Sequence, residues 1–306
     1  MTARLTATRT FRNALAGLAT VGLLGGAIDP DLQALRTADM RLATVAHRLQ
    51  VAAVGLCPDV ARLPGITVQA LSQYDAAGRA RLMAQLALGD VPSVAAVATG
   101  SDAARQGLRP GDAIIAINGA ATPAAPKRSG YAQVGATEDQ LDAALAQGPV
   151  RLRLAPDNRE VTLAGDRGCA SRVQLTAGGL LRTQADGRYV QISQKMFDLA
   201  RGDDELAAVT AHELSHNILR HNALKTPSKQ AEYEADRLSV WLVARAGYDL
   251  GAVQPFWEAL RKKTDYGIFA DASHPGWGKR IAAITAAVAA VRAQQAAGVL
   301  LVPTPK

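Results

Sequence analysis

The chain has 306 residues, room for two domains of ordinary size, and 48% of them are apolar, enough for a real core. The formal net charge is +7, but Arg4, Arg9 and Arg12 precede the first acidic residue, Asp29, and the remaining basic residues are spread with no basic block. A nucleic-acid partner is therefore not expected.

Residues 1–27 read as a secretory signal. The three arginines form a basic start, and residues 14–27, ALAGLATVGLLGGA, form a short apolar run with Gly25 and Ala27 at cleavage-compatible positions. That run is too short and Gly-rich for a membrane span, which needs ~20 apolar residues. An exported, periplasmic protein with at most peripheral membrane association is expected. Cys57 and Cys169 are the only cysteines, and an even pair in an exported chain predicts one disulfide.

Residues 28–88 are assigned to the first segment of the main domain. Leu35, Ala38, Leu42, Val45 and Leu49 recur at helical intervals, which predicts a helix over 30–55. A strand-like piece at 66–71 and a helix-like piece at 76–88 follow. At Gly89 the character changes, and residues 89–164 are assigned to an insert that Cys57 and Cys169 bracket.

The insert opens with a strand at 91–97. Ser101 is placed to cap a short helix, Gly107 to end it, and Arg109-Pro110-Gly111-Asp112 to turn the chain into a strand that ends at the tight-turn pair Asn118-Gly119. A helix over 137–147 is expected to be capped by Thr137 with Gln140, and a hairpin over 150–154 and 160–163 closes the unit. These residues resemble the core of a bacterial PDZ domain. The resemblance implies that peptide C-termini dock there, with Leu86-Ala87-Leu88-Gly89 as the carboxylate-binding loop, although that loop matches the usual pattern poorly.

Residues 165–306 are assigned to the second segment of the main domain. Short strands at 172–176 and 189–193 precede a run of helices, and the strand at 189–193 is expected to be an exposed edge that pairs with extended substrate. The helix over 206–221 contains His212-Glu213-Leu214-Ser215-His216. Residues four apart on a helix are rotated by about 40°, so both histidines face one metal ion. Burying two His and a Glu among Leu206, Val209, Leu214 and Ile218 without a metal would be costly.

Sixteen residues after His216, the stretch Glu232-Tyr233-Glu234-Ala235-Asp236 opens on a further acid. Glu232 is taken as the third ligand, Glu213 as the carboxylate that accepts a proton from a metal-activated water, and Asp236 as the partner that holds a ligand histidine in its tautomer. Glu234 lies about 200° around the helix from Glu232 and is expected to face elsewhere. His221, nine residues past His212, would sit on the opposite side of a continuous helix and is read as a cap on its negative end. Position 222 is Asn222 and position 219 is Leu219, which excludes the metzincin pattern.

HELSHNILRH, EYEAD and the later His274-Pro275 with Arg280 together resemble the gluzincin metallopeptidases of family forty-eight, which include the HtpX-type proteases and the CAAX prenyl endopeptidases. The resemblance implies an α+β fold: a mainly helical zincin domain with a small β-sheet, carrying the PDZ-like insert. It also implies one Zn2+ per chain on His212, His216 and Glu232, with Glu213 catalytic and unfolded envelope proteins or peptides as substrates. His274 would stabilise the oxyanion or block the metal, and Arg280 would pair with an acid. The chain lacks the long membrane spans of those relatives. Two further readings follow: a non-catalytic PDZ adaptor on a protease scaffold, and a self-inhibited protease with His274 on the metal.

Overall fold

The computed structural model describes residues 29–177, 179–264, 276–299 and 301–303. The expected signal at 1–27 and the His274-Pro275 pair lie outside the described residues.

Helix α1 (Pro30–Ala52) starts where the Asp29 side chain accepts from the Asp31 amide and Pro30, with no amide hydrogen to leave unpaired, fills the first turn. Leu32, Ala38, Leu42, Val45 and Leu49 form its buried stripe, while Leu35 lies on the surface. The chain leaves the helical half through β1 (Val60–Leu63) and comes back through β8 (Asp166–Cys169), which pair antiparallel with each other. The Cys57–Cys169 disulfide, with Cα atoms 5.8 Å apart, ties these two strands together.

Between them lies a six-stranded sheet of β2 (Ile66–Gln69), β3 (Ser93–Val97), β4 (Ala113–Ile117), β5 (Ala120–Ala121), β6 (Val150–Ala155) and β7 (Glu160–Leu163). The order is β2-β3-β4-β6-β7 with β5 against β4, and every pairing is antiparallel. It has its own core, in which Val94, Ile114, Ile117, Leu152 and Leu163 pack with Leu141 and Leu145 of α4 (Ala132–Gln147). Helix α2 (Ala76–Leu86) lies between β2 and β3 in sequence, and Ser101 caps α3 (Asp102–Arg105) by accepting from the Ala104 amide. Asn118 and Gly119 both take positive φ, the tight turn expected of that pair.

Three details differ from the sequence reading. Strand β2, upstream of residue 89, joins this sheet because it satisfies the free edge of β3 and buries Val68. Helix α4 starts before Thr137, whose hydroxyl donates to the Gln133 carbonyl inside the helix and caps nothing. Leu86–Gly89 does not lead into the outer strand. It ends α2, with Ala87 left-handed and Leu88 buried against Leu32, Leu71 and Leu82; the segment before β2 is Pro64-Gly65.

The helical half carries a three-stranded sheet of β9 (Arg172–Thr176), β10 (Thr183–Ala185) and β11 (Tyr189–Ser193), in the order β10-β11-β9. Strand β11 is therefore central, parallel to β9 and antiparallel to β10, with Val190 and Ile192 fully buried. The expected edge at 189–193 is overturned. Asp186 accepts from the Arg188 and Tyr189 amides and so folds β10 back along β11, leaving β10 at the edge. Arg172 reaches across to Glu138 (3.3 Å), Asp139 (2.8 Å) and Asp142 of α4, and Arg188 pairs with Asp139, which seats the larger sheet against the smaller.

Helices α5 (Gln194–Leu199), α6 (Asp203–Ile218), α7 (His221–Leu224), α8 (Ser228–Arg245), α9 (Val253–Thr264) and α10 (Trp277–Ala296) complete the chain. Helix α6 runs through the middle of this half, packed on α1, α8, α9, β10 and β11. Among the described residues, no helix is long and apolar enough to cross a membrane.

Candidate metal centre

Asp203, Asp204 and Glu205 occupy the first turn of α6, where the positive end of the helix favours acids. Leu206 to Ser215 are all buried, so the helix is locked on every side and His212, Glu213 and His216 have little rotameric freedom. Helix α8 lies along it and presents Glu232 and Asp236 one turn apart, both buried. Helix α10 adds Arg280, and α9 adds Trp257, whose ring sits edge-on to His212 with centroids 5.1 Å apart.

The structure brings three donor atoms to one point. His212 Nε2 and His216 Nε2 are 3.2 Å apart, and the Glu232 oxygens lie 3.5 Å from the first and 3.6 Å from the second. A tetrahedral zinc ion with bonds of about 2.0–2.1 Å holds its ligand atoms about 3.3–3.4 Å apart. Two imidazole nitrogens and a carboxylate at this spacing therefore fit such an ion, and the three residues form a group that could hold a metal.

Around the donors lies a ring of buried charge. Asp236, wholly inaccessible, places Oδ1 3.1 Å from His212 Nδ1, an ion-pair distance somewhat off the line of a hydrogen bond. Arg280 donates Nε and Nη2 to the two Asp236 oxygens at 2.8 and 2.7 Å and brings Nη1 within 3.0 Å of Glu232. Its guanidinium lies over Trp257 and Trp277, 5.2 and 5.0 Å from the ring centroids. Arg280 thus pairs with two acids, not one, and ties α8 to α10.

Burial alone would raise the Glu232 and Asp236 carboxyls. His212 and Arg280 outweigh it and hold both well below the usual carboxylate range. Burial depresses His212, but Asp236 and Glu232 push it up to about 9, whereas burial and the His212 charge push His216 down to about 3. Burial pushes the Glu213 carboxyl up, and the Thr183 hydroxyl of β10 donates to it at 2.5 Å. No motif marks Thr183 in the sequence; only the fold places an edge strand beside α6.

His221 does not cap a continuous helix. Helix α6 stops at Ile218, and Arg220 takes a left-handed conformation (φ 54°), held by Asp59 at 2.6 and 3.0 Å. The turn brings His221 back under the site. It is buried, with Nδ1 2.9 Å from His216 Nδ1 and Nε2 3.2 Å from Glu234 Oε2. Glu234 stands outside the donor triad, as its helical spacing predicts, but it is not idle.

Residues 181–230 and 222–288 match the family model described as Peptidase family M48. No curated protein matches the chain. The matched span runs from just before β10 to within α10, and so takes in both histidines, Glu213, Glu232, Asp236 and Arg280. The match supports the M48 family for residues 181–288, and with it a metallopeptidase.

Proposed function

We propose that the protein is an exported zinc endopeptidase that hydrolyses peptide bonds in unfolded or damaged cell-envelope proteins. The observation that carries this reading is the tetrahedral spacing of His212, His216 and Glu232 next to an acid, Glu213, that is buried and anchored. Zinc held there would polarise the scissile carbonyl and bring a water pKa toward about 7.

The chain's residues supply the rest. Glu213 takes a proton from the attacking water and returns it to the leaving nitrogen as the carbon–nitrogen bond breaks. Asp236 keeps His212 oriented, and Arg280 balances the two acids so that Glu232 stays ionised. Among the described residues, strand β10 pairs only with β11, and it packs beside α6. An extended substrate added to its outer edge would lie along the helix that carries Glu213 and be bound through backbone hydrogen bonds whatever its sequence. Such sequence-tolerant binding suits an enzyme that clears damaged proteins.

The larger sheet has the role of recruitment in this reading, as its PDZ-like sequence suggests. The outer edge of β2 and the facing residues Leu141 and Leu145 of α4 line a cavity of about 930 Å³ that reaches Asn217 at the end of α6. A recess of about 550 Å³ at His216 and β10 shares Asp186, Asn217 and Asn222 with it. A peptide C-terminus held along β2 is the partner this arrangement fits. The disulfide and the signal-like start favour the periplasm or another oxidising compartment.

Purified protein is expected to cut casein, to lose that activity to 1,10-phenanthroline and to regain it with zinc. A zinc-loaded chain that binds peptides yet leaves casein intact would favour the adaptor reading.

A further inference from the structure

We infer that His221 and Glu234 are positioning residues that fix the tautomer and ring orientation of His216; the inference rests on the metal-centre reading above. If His216 is to offer the Nε2 lone pair toward His212 and Glu232, its Nδ1 must carry the hydrogen. That hydrogen faces His221 Nδ1 at 2.9 Å, so His221 must accept there and be protonated on Nε2. His221 Nε2 in turn faces Glu234 Oε2 at 3.2 Å, and a carboxylate can only accept.

One assignment satisfies both contacts: His216 donates to His221, and His221 donates to Glu234. In the reverse direction His216 Nε2 would carry a hydrogen and could bind no metal. Glu234 is itself anchored, because Gln230 Nε2 donates to its other oxygen at 2.9 Å. The two ligand histidines are therefore braced differently, His212 directly by Asp236 and His216 through an intervening imidazole. The device depends on the left-handed turn at Arg220, without which His221 would point away from His216.

The test is zinc affinity by competition with a chromogenic chelator, together with imidazole nitrogen NMR of the zinc-loaded full chain. His221→Ala is expected to weaken zinc binding about 10- to 100-fold. Glu234→Leu is expected to weaken it several-fold, and Glu234→Gln, whose amide oxygen still accepts, to stay near wild type. In the zinc-loaded wild type, His221 should carry its hydrogen on Nε2 only. If His221→Ala does not fold, Glu234→Leu, at a side chain 21% exposed, carries the test. Affinities within twofold of wild type in the folded variants, or a wild-type His221 protonated on Nδ1, would overturn the relay alone. A wild-type chain that takes up no zinc overturns the metal centre, and the relay with it.

Discussion

Replacing Glu213 by glutamine is expected to leave zinc binding intact and to lower kcat about 10²- to 10⁴-fold. The change is isosteric, and Glu213 is not among the three donors. Glutamine can still accept from Thr183 Oγ1, so the site keeps its shape. What disappears is, among the described residues, the group placed to take the water's proton, since Glu232 and Asp236 are already committed to the histidines and Arg280.

The pH profile gives a second readout. The general base must be ionised, so kcat/KM falls as pH drops through the Glu213 pKa. Burial raises that pKa, and the bond from Thr183 lowers it. Thr183→Val removes the lowering contribution, so its acid limb should lie at higher pH than that of wild type. Undiminished casein cleavage by Glu213→Gln would remove this residue from the mechanism.

Replacing Arg280 by methionine is expected to destabilise the metal-free protein by about 3–5 kcal/mol, because it leaves Asp236 and Glu232 buried without their cation. The methionine fills much of the space between Trp257 and Trp277, so the loss is chiefly electrostatic. Zinc should restore part of the stability, since a divalent ion compensates the Glu232 charge but reaches Asp236 only through His212. Urea unfolding with and without zinc measures both quantities. A change below about 1 kcal/mol in the metal-free form would mean that water reaches these carboxylates and that the ion pair is not a closed one.

The parts of the site that follow from helical periodicity were legible in the sequence. His212 and His216 four apart, and Glu232 and Asp236 four apart, needed only that each pair lie on a regular helix and that the helices face each other. The Cys57–Cys169 bridge was legible in the same way, from the count of cysteines and the position of the insert between them. His221 was not, because a non-glycine residue in the left-handed region, such as Arg220, leaves no mark in a sequence pattern. A helix assumed continuous through 221 turns that side chain to the wrong side.

Thr183 and the true edge strand were hidden for another reason. Strand β10 has three residues, too few for an alternation to show, and its place in the sheet is set by the Asp186 turn and by what β11 leaves unpaired. The same holds for β2, whose membership of the larger sheet depends on pairing with β3 across 23 residues or more of intervening chain. Local pattern identifies β2 as a strand but does not say which neighbour it joins.

The most direct measurement is anomalous diffraction at the zinc edge from crystals of the zinc-loaded protein. The account predicts one strong peak about 2.0–2.2 Å from His212 Nε2, His216 Nε2 and a Glu232 oxygen, with Glu213 beside it and bonding to none of its orbitals. A peak elsewhere, or a Glu232 side chain turned out of reach of both imidazoles, would contradict it.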